Sequence, residues 1–256
     1  GAAERDYAAL RLIHCGSAAI AEDTLRRATS VFKCDFVQGY GLTESTAAAT
    51  VMSPADTLRG LEQQPELLGS VGRPLLGTSI SIVDEHDRPL PAGVAGEILV
   101  RGPQVMRGYW KQPRATAETV RGGWLRTGDV GRLDADGYLY IQDRVKDVIV
   151  SGGVNIYPRM VERVLEEHPA VAEVAVVGVP DQRWGESVKA IVVLRASMCA
   201  TETELIDFCR DRLGGFQRPR SIDFVDLLPR TATGKVLRRQ LREPYWVDQP
   251  QRVGQA

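Results

Sequence analysis

Apolar and polar positions alternate along the chain in three successive textures. "LRLIHCGSAAI" (10–20) is an apolar run that ends in a Gly-Ser turn and predicts a buried strand. "AEDTLRRATSVF" (21–32) spaces its apolar residues at helical intervals, and "CDFVQGYG" (34–41) returns to an extended pattern. Strand, helix and strand in that order predict a parallel crossover at the end of an α/β layer. A parallel sheet needs neighbouring strands and cover on both faces. Nothing ahead of residue 10 could supply them, so a fragment of a longer chain is expected.

From Gly69 the pattern shifts to short alternating runs, "GTSISIVDEHDRPL", "GEILVRGPQVMRGYW" and "GWLRTGDVGRLDADGYLYIQDR". "DEHDRPLPAG" and "DADG" read as turns between them, so this stretch predicts an antiparallel β unit. A third texture starts near Val145. It comprises a hairpin over "VKDVIVSGGVNIYP", a helix over 158–167 opened by proline, and paired strands over "VAEVAVVGVP" and "ESVKAIVVL". A helix through "ETELIDFCRDRL" and a strand over "SIDFVDLL" complete it. The expected organisation is an α/β segment (1–68), a β subdomain (69–144), a small α+β domain (145–243) and a tail (244–256). The charged step "DRVKD" marks the boundary.

Composition narrows the function classes. The chain of 256 residues is 43% hydrophobic and 25% charged with a net charge of -1, ordinary values for a globular protein. That balance leaves no basic field for nucleic acid or an anionic membrane surface. The four cysteines form no Cys-x-x-Cys pair, which fits reduced thiols of a cytoplasmic protein rather than a zinc site or a disulfide frame. No apolar run approaches the roughly 20 residues that span a bilayer.

Several short stretches carry chemistry. "GYGLTES" (39–45) ends a strand and offers an aromatic face at Tyr40, a hydroxyl at Thr43 and a carboxylate at Glu44. A purine could stack on the first, a phosphate bond the second, and Mg2+ bridge phosphates from the third. A capped turn would use the same residues. Asp129 follows a Thr-Gly turn in "WLRTGDVG", where a carboxylate can accept both hydroxyls of a ribose or simply form the turn. Arg144 could add a donor to the same sugar or pair with Asp143 or Asp147. Gly152 and Gly153 in "SGGVNIYP" let a ligand approach the backbone and equally suit a hairpin turn. Lys235, in "PRTATGKVLRR", follows a glycine as in a phosphate-binding P-loop. However, Pro229 stands where that motif needs its first glycine, and the P-loop reading fails.

The order of these motifs is the stronger signal. "YGLTE", "RGYW", "GWLRTGD", "GYLYIQDRVKDVIVSGGVNIYP" and "PRTATGKVLRR" form the series of the acyl-adenylate-forming enzymes. From its start to about Arg242 the chain resembles an acyl-CoA synthetase, a carboxylate–CoA ligase. The resemblance implies a mixed fold, the end of a large α/β domain with a β subdomain (1–144) followed by a small mobile α+β domain (145–243). It implies adenine against Tyr40, with Gly16, Ser17, Ala18, Gly39, Gly41 and Ile141 lining the nucleotide site. Thr43 and Glu44 would serve the α-phosphate and Mg2+, and Asp129 and Arg144 the ribose. Lys235 would cover the α-phosphate and the acid carboxylate, and Lys146 would be the hinge. Gly152 and Gly153 would border the pantetheine channel, with Trp184, Phe216 and Arg218 near the coenzyme A nucleotide.

The resemblance further implies ATP, Mg2+ and coenzyme A, and two half-reactions: acid and ATP give acyl-AMP, then the thiol displaces AMP. Partners would be small molecules, without nucleic acid, and a homodimer is an open assembly. Two departures stand out. The family's glycine-rich loop for the β- and γ-phosphates is absent, so the chain alone is expected to be inactive. "YPRM" carries Arg159 and Met160 where the family usually has an acidic residue ahead of Val161. Other readings are an aryl-acid CoA ligase, an acyl-AMP ligase that loads a carrier protein, and a non-catalytic nucleotide-binding module. The small, uncharged "STAAATVM" after Glu44 favours a medium- or long-chain fatty acid.

Overall fold

A computed structural model describes residues 4–16, 20, 22–231 and 234–247, with the side chain of Glu22 excepted. The chain divides into two compact units, residues 1–141 and 142–256.

The first unit holds β1 (Leu12–Cys15), α1 (Glu22–Phe32), β2 (Asp35–Tyr40), β3 (Thr50–Met52), α2 (Pro54–Glu62) and β4 (Arg73–Pro74). These are followed by β5 (Ser79–Val83), β6 (Gly96–Arg101), α3 (Pro113–Thr119), β7 (Val120–Arg121), β8 (Trp124–Leu133) and β9 (Leu139–Arg144), the last crossing the unit boundary. The crossover β1–α1–β2 is parallel as its pattern predicts, with Leu12 opposite Asp35 and Cys15 opposite Gln38. The sheet then turns antiparallel through β3 and β4. β1 is shorter than expected and only half-buried. Its positions alternate between exposed and intermediate because it is an edge strand of the sheet.

In the second sheet of this unit, of order β5-β6-β8-β7, the pairings β5–β6, β6–β8 and β7–β8 are antiparallel, and β9 lies beside β8. Alternate residues of its strands, Ile82, Ile98, Val100, Leu125 and Leu139, point into one core with Tyr40. Two helices escaped the sequence pattern. α2 is opened by Ser53, whose hydroxyl accepts the Asp56 amide in a capping box, with Pro54 at the first helical position. α3 buries no residue, so its sequence carries no amphipathic stripe.

The second unit contains β10 (Ile149–Ser151), β11 (Val154–Ile156), α4 (Pro158–Glu166), β12 (Val171–Asp181), β13 (Gly185–Leu194), α5 (Glu202–Phe208), β14 (Ser221–Phe224) and α6 (Arg238–Arg242). β12 and β13 pair antiparallel from Val171–Leu194 to Asp181–Gly185, and β14 joins β13 in parallel. α4 places Val161 and Leu165, four residues apart and fully buried, on one face against this sheet. Burying two such side chains contributes on the order of 1.5–3 kcal/mol each. α5 stops at Phe208, earlier than expected, and Cys209 and Leu213 reach the core from the following turns. A 3-10 turn, Glu243–Tyr245, straddles the expected start of the tail at residue 244. Tyr245 packs on the outer core of the unit, and the Trp246 indole donates to the Gly178 carbonyl at 3.0 Å. Among the described residues, no helix is long and apolar enough to cross a membrane.

Candidate active site

β2 and its following loop build the first half of the site. The loop from Tyr40 to Ala49 is closed by backbone bonds from Ala49 to the Tyr40 carbonyl at 2.7 Å and from Ala47 to the Leu42 carbonyl at 3.0 Å. Within it, Thr43–Ser45 forms a single 3-10 turn, and Thr46 and Ala47 adopt positive φ to bring the chain back. Gly41 has to be glycine there, because a Cβ would sit 2.5 Å from the Ala47 carbonyl oxygen. Thr43 is exposed and Glu44 half-buried at this turn.

β8 supplies the second motif. Asp129 is buried on it, and the Tyr40 hydroxyl donates to Asp129 Oδ2 at 2.7 Å across 89 residues of sequence. The Asp129 amide donates to Thr127 Oγ1 at 3.1 Å, which shapes the Thr-Gly turn around Gly128. The flat face expected of Tyr40 is mostly covered. Only 9% of the residue is exposed because its ring belongs to the core formed with Ile98 and Leu125. Gly39 sits on β2 and Ile141 on β9, half-buried against the same core. Gly16 is exposed just beyond β1, while Ser17 and Ala18 lie outside the described residues.

Glu44 has a partner that the sequence reading assigned no role. The Tyr109 hydroxyl donates to Glu44 Oε1 at 2.7 Å, and the Met106 amide donates to the Glu44 carbonyl at 2.8 Å. The bond to Glu44, ahead of burial, pushes the Tyr109 hydroxyl pKa up. Leu42, Glu44, Tyr109, Arg126 and Thr127 line a cleft of about 320 Å³ beside this pair. Among the described residues, no group of three or more acidic, histidine or cysteine side chains stands ready as an all-protein metal cage. A single half-buried carboxylate on a cleft is the donor set that suits Mg2+ shared with phosphate oxygens. The "RGYW" stretch was legible as a motif, but its tyrosine could be joined to Glu44 only through the fold.

The remaining residues belong to the second unit. Arg144 is exposed, and its amide donates to Asp143 Oδ1 at 2.8 Å. Asp143 is buried, and its Oδ2 takes the Arg159 amide at 2.9 Å, capping the start of α4 from the linker. Burial pushes the Asp143 carboxyl up, against those two amide bonds. Lys146 is exposed within the 3-10 turn Val145–Asp147, and its carbonyl faces Arg242 Nη1 at 3.4 Å.

Gly152 and Gly153 turn the β10–β11 hairpin with φ of 58° and 81°. The Trp184 ring lies so close over Gly152 that a Cβ there would approach Trp184 Cε3 to 2.7 Å. Trp184 and Phe216 are partly exposed, at 38% and 48%. Arg218 is half-buried, and its Nε donates to the Leu213 carbonyl at 3.1 Å.

The departures at Arg159 and Met160 now have partners. Arg159 pairs with Glu166 at 2.6 Å and approaches Glu162 at 3.4 Å, and Met160 Sδ lies 3.3 Å from Gln217 Nε2.

Lys235 is exposed on a hairpin between β14 and α6. Arg230 and Val236 bridge its base, the Lys235 carbonyl accepts the Thr231 amide at 2.8 Å, and the Lys235 amide donates to Thr231 Oγ1 at 3.1 Å. Gly234 takes positive φ at the turn, so the Gly-Lys step reflects hairpin geometry.

Known proteins resemble this chain in sequence and fold. The AMP-binding enzyme family matches residues 1–110, and the AMP-binding enzyme C-terminal domain matches residues 160–235. A fatty acid–acyl-carrier-protein ligase of Streptomyces coeruleorubidus is 40% identical over 253 residues, covering 99% of this chain and 48% of its own. A medium/long-chain-fatty-acid–CoA ligase of Mycobacterium tuberculosis is 40% identical over 257 residues, covering 98% of this chain and 44% of its own. The solved o-succinylbenzoate CoA synthetase of Bacillus subtilis, in complex with the acyl-adenylate intermediate OSB-AMP, superposes with a TM-score of 0.81 at 38% identity. That match covers 93% of this chain and 47% of the other. The chain thus spans about half the length of the curated relatives it matches. With both domains matched, the motif series in order and the fold shared, the chain belongs to the AMP-binding, acyl-adenylate-forming enzymes and corresponds to their C-terminal part.

Proposed function

We propose that the full-length protein carrying this chain is an ATP-dependent carboxylic acid–CoA ligase that makes an acyl-adenylate and then a thioester. The observation that carries the reading is the buried Tyr40–Asp129 bond, which ties the "YGLTE" and "RTGD" motifs into one place. An ionised carboxylate accepts several hydrogen bonds at once. Asp129, fixed by Tyr40, is therefore suited to hold the ribose hydroxyls, with Arg144 as a second donor. Glu44, held by Tyr109, would be the carboxylate that holds Mg2+, and Thr43 would offer its hydroxyl to the α-phosphate. ATP supplies the adenylyl group, and Mg2+ offsets the phosphate charge. The Lys235 ammonium stabilises the negative charge that builds as the acid carboxylate attacks phosphorus. Gly152 and Gly153 would border the pantetheine arm, with Gly153 the open one and Trp184 packed over Gly152, and Trp184, Phe216 and Arg218 offer surface to the coenzyme A nucleotide.

Coenzyme A is taken as the acceptor, as in the name of the Mycobacterium tuberculosis ligase, while the Streptomyces coeruleorubidus relative is named for an acyl carrier protein, so the assay below runs both. A medium- or long-chain fatty acid is favoured by the small, uncharged residues after Glu44 and by the lack of Lys or Arg in residues 34–39 directly ahead of Tyr40, with an aryl acid second. The test is ATP–pyrophosphate exchange by the full-length protein across saturated fatty acids, hydroxycinnamates and dicarboxylates. Thioester formation follows with coenzyme A and with an acyl carrier protein in parallel. Exchange that depends on a fatty acid, and transfer to coenzyme A, are expected. No acid-dependent exchange overturns the ligase reading, and transfer to the carrier alone overturns the choice of acceptor.

A further inference from the structure

Arg238 lies three residues beyond Lys235, at the first position of α6. Its Nη2 is 2.8 Å from both carboxylate oxygens of Glu162, and its Nε donates to Glu162 Oε1 at 3.3 Å. The Glu162 side chain, on α4, is 2% exposed, and that of Arg238 is 25% exposed. Glu162 Oε1 also accepts the Val176 amide of β12 at 2.9 Å. One buried carboxylate thereby joins α4, β12 and α6, and α6 continues directly from the hairpin that carries Lys235.

The hairpin has a second tether on its other flank. Arg230 donates to the Gly234 carbonyl at 2.7 Å and pairs with Glu173, but both partners of that pair are more than 40% exposed. Exposed pairs of this kind hold little. The buried pair is the stronger restraint on where the hairpin leaves the body of the domain. Apolar residues would fasten α6 to α4 without the cost of desolvating two charges, but they would not fix its rotation as a guanidinium fork does.

We propose that Arg238 is a positioning residue for Lys235. Its fork on Glu162 fixes the start of α6 and the base of the hairpin, so that the Lys235 ammonium is presented in one place. This rests on the reading of Lys235 as the adenylation lysine. Lysine has a long, flexible side chain, and a charge-stabilising group must be held within about 0.5 Å of its working position by its supports. The backbone under Lys235 is where that precision has to come from.

The test uses the full-length protein with Arg238→Met, and with Glu162→Met and Arg238→Met together. Arg238→Met is expected to slow acid-dependent ATP–pyrophosphate exchange roughly 10- to 100-fold through kcat, the scale of a misplaced catalytic group. The KM for ATP and thioester formation from supplied acyl-adenylate should stay within about twofold, as for any interaction made only in the transition state of the first step. Amides of Thr231, Gly234 and Lys235 should exchange hydrogen faster. In the double variant the buried carboxylate, which Arg238→Met leaves with Arg159 at 3.4 Å as its cation, is gone as well, so thermal stability should return while adenylation stays slow. Wild-type adenylation in folded Arg238→Met overturns the proposal. So does recovery of adenylation together with stability in the double variant, or an equal loss in both half-reactions. Should Arg238→Met fail to fold, the double variant decides alone. A wild-type protein that makes no adenylate sinks the functional reading, and the hairpin amides then still show whether Arg238 holds the hairpin.

Discussion

Tyr40 and Asp129 meet in the core of the first unit, where the tyrosine hydroxyl donates to the aspartate at 2.7 Å and both residues are less than a tenth exposed. The bond fastens the loop after β2 to the middle of β8, and so couples the phosphate-side turn to the sugar-side carboxylate. A carboxylate taken this far from water needs hydrogen-bond partners, and the Tyr40 hydroxyl supplies one. Tyr40 therefore does more than border a purine.

Tyr40→Phe removes one donor from a buried acid and leaves the ring in place. The loss is expected to destabilise the protein by about 1–3 kcal/mol, the cost of an under-satisfied buried polar group. In the full-length enzyme it should raise the KM for ATP more than it lowers kcat, because the ribose contact acts in ground and transition state alike. Denaturant unfolding and pyrophosphate-exchange kinetics check both parts. Unchanged stability and an unchanged KM would make the bond idle.

Lys235→Ala is expected to lower adenylation by about 10²–10³, the effect of removing one donor to developing negative charge. Thioester formation from supplied acyl-adenylate should be nearly unaffected, since there the thiol attacks the acyl carbon, AMP leaves with the acyl C–O bond, and no bond to phosphorus is made or broken. Measuring the two half-reactions separately makes the distinction. Equal losses would move Lys235 from chemistry to folding.

Much of this architecture is legible in the chain, and what is not has a common cause. The β10–β11 hairpin is written in its adjacent glycines, and α4 in the proline before an apolar pair four residues apart. Short-range chemistry of that kind needs no tertiary information. α2 was missed although Ser53, Pro54 and Asp56 spell its start, because its nine residues bury little and give a weak stripe. The site-building contacts are a different matter. Tyr40 and Asp129 are 89 residues apart, Glu44 and Tyr109 are 65, and Glu162 and Arg238 are 76. Each joins two elements whose mutual register is set by packing, which no local pattern records. Motif order could name Asp129 and Glu44, but their tyrosine partners could be paired with them only in three dimensions.

The cysteines offer a check on the second unit that is independent of catalysis. Cys209 is fully buried, and burial pushes its thiol up to about 11, while Cys199 is exposed. A thiol-specific reagent at pH 8 should label Cys199 quickly and leave Cys209 unmodified until the unit unfolds. The raised thiol pKa also sets a sign. The folded state keeps the proton that the unfolded chain releases near pH 8.5. The contribution of Cys209 is therefore full below that pH and is lost as pH rises through about 11. Cys209→Ala should flatten this alkaline fall in a thermal melt series between pH 8 and 10.5. Fast labelling of Cys209 in the folded protein would contradict the packing of α5 and its following turns.

Lys146 is the last position to test, and it bears on how the two half-reactions are separated. It sits in a 3-10 turn at the start of the second unit, exposed, in the charged step that follows β9. If it is the hinge, its backbone must reach two sets of dihedral angles as the enzyme passes from one half-reaction to the next. Proline fixes φ near -65° and removes the amide donor. A 3-10 turn accepts that angle, so Lys146→Pro should fold, and the approach of Arg242 to its carbonyl survives the change. The variant would then be confined to one orientation. Adenylation is expected to survive better than thioester formation, because the first step is the one that requires Lys235 over the nucleotide. Each half-reaction is measured separately in the full-length variant, with a thermal melt to establish folding. A folded variant with both rates at the wild-type level would make Lys146 an ordinary turn residue. The pivot would then have to be sought at a neighbouring position of the same linker, where Asp143 is already committed to capping α4 and so is a poor candidate.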